Sequence, residues 1–90
     1  MQGEPGVRER ASDLAAIREI LARHGRLAVD VAGLRDGSDL YNAGLTSLAT
    51  VNVMLALENH FDIEFPDALL SRKTFASLEA IAEAVAELVG

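Results

Sequence analysis

Apolar residues recur at helical spacing in three stretches of the chain. The first lies between Val7 and His24, where Leu14, Ile17 and Leu21 make one stripe while Arg18, Glu19 and Arg23 point elsewhere. Ser12-Asp13 is its start signal and Gly25 its stop. The second runs from Ser47 to Phe61 without Gly or Pro, which predicts a helix of about four turns. At about 100° per residue, Thr50, Val53, Met54, Leu57 and Phe61 share the face we assign to the core. Leu48, Val51 and Leu55 form a second apolar strip beside it, with Asn52, Asn59 and His60 filling the remainder. The combined sector is wider than three packed helices need, so either the helix is deeply buried or the second strip is a contact surface. The third stretch starts at Ser77, an N-cap residue, and ends at Val89. Leu78, Ile81, Val85 and Leu88 form its core stripe, with Glu79, Glu83 and Glu87 as a solvated row opposite.

The connections carry information too. Gly25 to Leu45 is long for a compact domain and holds Gly33, Gly37 and Gly44 among Asp and Ser turn formers. Leu27, Val29, Val31, Leu34, Leu40 and Tyr41 recur through it and predict a loop pinned to the helices, with a short helical turn near Val31 to Leu34. Leu27 to Val31 alternates only briefly, a weak strand signal. In Asp62-Ile63-Glu64-Phe65-Pro66 the proline biases Phe65 away from helix, and Ile63 and Phe65 should point inward. Pro66 to Leu70 then reads as a short helix with Pro near its first position. The fold class is all-α: a small four-helix bundle of three main helices and one short helix, with a long first loop. Residues 1–6 are expected to be loose, and 7–90 to form one domain.

Ninety residues leave no room for a second core, and the absence of cysteine rules out disulfides and thiolate metal sites. His24 and His60 are the only histidines, and no acids cluster with them at ligand spacing, so no metal is expected. The net charge of −6 is unevenly placed: residues 1–35 sum to +1 and residues 36–90 to −7. Nothing resembles a basic stripe with interleaved aromatics, which argues against nucleic acid. No segment could span a bilayer, and there is no apolar N-terminal run, so a cytoplasmic protein is expected.

One hydroxyl stands out. Ser47 falls where the second helix begins, among free backbone N–H groups and the positive end of the helix dipole, a setting that favours a negative charge. Such a serine can simply cap the helix, or it can be the attachment point of a phosphate ester. It has no neighbouring base in sequence, and His60 lies almost four turns away along the same helix, roughly 20 Å by helical rise, so catalysis of its own is not expected.

The string GLTSLATVNVMLALENHFDIEFPD, followed by TFASLEAIAEAVAEL, resembles the acyl and peptidyl carrier proteins over roughly Asp39 to Leu88. The resemblance implies an acyl-carrier-like domain with 4′-phosphopantetheine attached to Ser47, supported by Gly44 and Thr46. It implies a thioester cargo on that arm, no enzymatic activity, and a protein that is monomeric when free. Leu48, Val51 and Leu55, helped by Leu69 and Arg72, would meet a phosphopantetheinyl transferase and the enzyme that loads the arm. Two departures narrow the family. Thr46 stands where many members have aspartate, and Ala49, Asn52, Asn59 and His60 are expected at exposed positions of a helix whose only acid is Glu58. LYNAGLTSLATV looks like the stand-alone bacterial aminoacyl carriers, which are loaded by truncated relatives of class II aminoacyl-tRNA synthetases, that is, by an amino acid:carrier protein ligase. An acyl carrier for fatty-acid or polyketide assembly is the alternative, and an unmodified helical adaptor is the alternative of another class.

Overall fold

The helical periodicity is realised as α1 (Pro5–His24), α2 (Ser47–Phe61) and α3 (Leu78–Val89), with single 3₁₀ turns at Val31–Gly33 and Asp67–Leu69. These come from a computed structural model that describes residues 5–89. The expected loose terminus lies outside the described residues, except for Pro5 and Gly6, which belong to α1. Every described element is helical, so the weak strand signal at Leu27 to Val31 is not realised.

The start of α1 needs a correction. Helix runs straight through Ser12-Asp13 from Pro5, whose missing N–H costs nothing at a first helical position. Its end follows the sequence, with the Gly25 N–H donating to Leu21 O at 2.8 Å. The residue that takes the left-handed conformation there is Arg26, at φ 51°. Gly25 serves by its size, since a Cβ would sit 2.7 Å from that same oxygen.

The three helices meet on a core of Ile17, Ile20 and Leu21 from α1, Ala49, Val53 and Leu57 from α2, and Leu78, Ile81, Ala82 and Val85 from α3. Leu14, Met54, Phe61 and Leu88 pack at its margins. Ala49 is a second correction: it is 3% exposed, not at the surface. Its methyl occupies the core face one turn before Val53.

Polar bonds as well as apolar contacts pin the long connection. Leu40 and Leu45 are buried, and Val31 is nearly so, while Val29 departs from the pattern at 49% exposure. The Arg18 guanidinium donates to Val31 O and to Asp36 Oδ1, each at 3.0 Å. The Leu40 N–H donates to Ala76 O at 2.7 Å, and the Glu79 N–H to Asp36 O at 2.9 Å. The loop is therefore fastened to α1 on one side and to the entry of α3 on the other. The Ala28 N–H donates to Ala43 O at 2.9 Å, which brings the chain leaving α1 beside the chain entering α2.

Beyond α2 the backbone reverses at Asp62, in the left-handed region at φ 55°. Glu58, the one acid of α2, is half-buried and accepts the Phe65 N–H at 2.9 Å, so it holds the turn together. Phe65 then stacks at a tilt on Phe75, with ring centroids 5.4 Å apart. The short helix expected at Pro66 to Leu70 is a single 3₁₀ turn. Ser77 caps α3, its Oγ accepting the Ala80 N–H at 3.0 Å. No helix among the described residues is long and apolar enough to cross a membrane.

Candidate functional site

The start of α2 shows what Ser47 is free to do. Thr46, not Ser47, is the N-cap: its backbone is extended and its Oγ1 accepts the Ala49 N–H at 3.1 Å. Thr46 O accepts both the Thr50 N–H at 2.8 Å and the Thr50 hydroxyl at 2.7 Å. Capping is complete without Ser47, which is exposed and has no hydrogen-bond partner among the described residues. A hydroxyl is thus presented to solvent at the first position of a fifteen-residue helix, beside its own and the Leu48 N–H.

Gly44 lies three residues before Ser47. It sits at φ +115°, a conformation that L residues rarely adopt, and a Cβ there would lie 2.8 Å from Ala28 N. After it the chain passes through buried Leu45 and reaches the surface at Thr46.

Beside Ser47 lies an open groove of about 380 Å³, walled by Tyr41, Thr50, Val51, Met54, Leu70 and Arg72 among others. The Arg72 guanidinium lies over the Tyr41 ring, 4.1 Å from its centroid. Leu48, Val51 and Leu55 stand out of the core at 76%, 47% and 52% exposure, so the second apolar strip of α2 faces solvent. Leu69 does not join them: it packs against the core and lines a shallow cleft with Lys73, Ala80 and Glu83. The adjacent Leu70, 46% exposed, faces the Ser47 groove instead. Sequence reasoning missed Leu70 and Tyr41. The 3₁₀ turn ends at Leu69, and Leu70 lies beyond it at φ −86°, ψ 68°, so helical spacing does not relate the two leucines.

The two histidines line another cleft, between α1 and α2, together with Glu19, Arg23 and Leu55. Neither borders the groove at Ser47. The chemistry assembled around Ser47 is therefore a free hydroxyl, amide donors, one cation and an apolar wall, a set suited to holding a phosphodiester on the serine oxygen.

The chain is similar to known proteins in sequence and in fold. Residues 15–85 match the family described as phosphopantetheine attachment site. An aminoacyl carrier protein of Agrobacterium fabrum is 56% identical over 71 residues, covering 79% of this chain and 86% of the relative. A chain in the crystal structure of an engineered Bradyrhizobium japonicum glycine:[carrier protein] ligase complexed with carrier protein from Agrobacterium tumefaciens and ATP superposes with a TM-score of 0.82. It is 53% identical, over 84% of this chain and 99% of that one. A chain in the complex of the B. japonicum ligase with glycylated carrier protein gives 0.71 at 26% identity, over 81% and 97% of the two chains.

Proposed function

The chain belongs to the phosphopantetheine attachment family, and we propose that within it the protein is an aminoacyl carrier whose arm is esterified to Ser47. The observation that carries the reading is the division of labour at the start of α2, where Thr46 caps the helix and leaves the Ser47 hydroxyl exposed. When bound, 4′-phosphopantetheine supplies a flexible arm ending in a thiol that can hold an aminoacyl group as a thioester. Ser47 fixes one end of that arm, Gly44 and Thr46 hold the serine at the surface, and the amides of the first turn favour its negative charge.

Leu48, Val51 and Leu55 form the docking strip in this reading, continued across the groove by Leu70. Exposed leucines and valines aligned on a helix cost solubility unless a partner covers them, and the partners here are the transferase that installs the arm and the ligase that loads it. Between Leu48 and Leu55 the sequence carries no carboxylate, which separates this surface from an acid-rich one docking basic partners. The protein itself is a substrate of those enzymes, and we place it in the cytoplasm with coenzyme A, the donor of the arm. The aminoacyl reading is preferred to a fatty-acyl one because the Agrobacterium relative at 56% identity is an aminoacyl carrier protein.

Loading tests it. The protein bearing its arm is incubated with ATP, the B. japonicum glycine ligase and either glycine or a medium-chain fatty acid. A mass gain of one glycyl group, reversed by hydroxylamine, supports the proposal. Acylation by fatty-acid-loading enzymes with no aminoacylation by any such ligase would overturn it.

A further inference from the structure

We propose that Arg72, whose guanidinium lies over the Tyr41 ring, binds the phosphodiester of the arm at Ser47 and so sets the direction in which the arm leaves the protein. The inference rests on the reading that Ser47 carries the arm, and adds to it a residue some 25 positions away in sequence.

A chain of contacts ties the cation to the serine. The Arg72 guanidinium is 4.1 Å from the Tyr41 ring centroid. The phenol oxygen at the other end of that ring is 3.5 Å from Thr50 Oγ1, which donates at 2.7 Å to Thr46 O, the carbonyl of the peptide leading into Ser47. Tyr41, Ser47 and Arg72 also border one groove. A phosphate on the serine oxygen thus enters a space whose far wall carries a guanidinium.

Charge singles out this contact. Residues 36–90 carry Arg72 and Lys73 against nine acids, yet the wall of the groove contains no carboxylate and only the one cation. Among the described residues Arg72 forms no ion pair, and its guanidinium meets the Tyr41 face. A contact with the ring π-face uses the positive charge without accepting its N–H hydrogen bonds in the ordinary way, and Arg72 is exposed, so donors remain for an anion. Planar guanidinium donors match phosphate oxygens in pairs, so the contact would be directional as well as attractive. Lys73 cannot substitute, because it lines the cleft with Leu69 and Glu83.

The test compares the wild type with Arg72→Ala and Tyr41→Phe, after intact mass has established that each has gained one arm. The ³¹P resonance of the diester is expected to differ between wild type and Arg72→Ala, and to be retained in Tyr41→Phe, which keeps the ring. About 1 M NaCl, where the Debye length is near 3 Å, should erase the difference. The Arg72 Nε–H resonance of the wild type should move between the apo and modified forms, a readout that needs no variant to be a good transferase substrate. Modified proteins with the same ³¹P resonance and an unmoved Arg72 Nε–H would overturn this inference and leave the Ser47 reading standing. A wild type that gains no arm from a competent transferase would overturn both.

Discussion

Replacing Gly44 by alanine adds a single methyl group at the tightest backbone position near the site. At φ +115° the residue lies outside the left-handed region that Asn and Asp can visit, and holding an L residue there costs about 1–3 kcal/mol. The new Cβ would stand 2.8 Å from Ala28 N and 3.2 Å from Ala28 Cβ. The first of these neighbours is backbone and cannot swing aside, so a further ~1–3 kcal/mol of overpacking follows. A loss of roughly 2–6 kcal/mol is a large part of the ~5–15 kcal/mol typical of a folded domain. At this size each kcal/mol moves the melting temperature by about 4–8 °C, so Gly44→Ala should melt at least ~8 °C below wild type. Urea and thermal unfolding followed by far-UV circular dichroism measure this directly. Gly37→Ala is the control: a Cβ there meets nothing within 4 Å, and its φ is not left-handed, so it should be neutral or slightly stabilising. If Gly44→Ala and Gly37→Ala melt together, the assigned backbone geometry around the serine is wrong.

Four further substitutions probe α2 and its cap. Thr46→Ala should destabilise the fold by about 1 kcal/mol in urea titration, because it removes the cap that binds the Ala49 N–H. Ser47→Ala should stay within ~0.5 kcal/mol of wild type, because its hydroxyl holds nothing in the fold; an equal loss in both would assign capping to the serine. Leu55→Asp should fold normally and slow loading by the ligase, whereas Leu57→Asp, which buries a carboxylate at a fully enclosed position, should give no cooperative transition. Unfolding of the Leu55 variant would move that residue from the docking strip to the core.

Much of the fold was legible because local and tertiary signals agreed. From Ser47 to Phe61 no residue interrupts the helix, and at Ser77 a capping hydroxyl precedes an apolar stripe, so both helices begin where their side chains say they should. The strip of Leu48, Val51 and Leu55 was legible as surplus apolar surface, since Val53 and Leu57 already fill the core face. Other features depended on contacts that sequence spacing does not contain. Ser12-Asp13 is a good start signal in isolation, but nothing upstream of it breaks the helix until Pro5. Ala49 is too small for its hydropathy to reveal burial, yet it belongs to the core. Thr46 and Ser47 are equally good caps by type, and only the backbone, extended at Thr46, decides between them. The Tyr41–Arg72 stack joins residues 31 positions apart, and no local pattern announces it.

The central claim is that the Ser47 hydroxyl is the point of attachment. It is tested most directly by intact mass and peptide fragmentation after incubation with coenzyme A and a promiscuous phosphopantetheinyl transferase. The account predicts the gain of one phosphopantetheine group per chain, localised to Ser47 and absent in Ser47→Ala. Attachment at Thr46 or another residue, or an unmodified chain with every competent transferase, would contradict it.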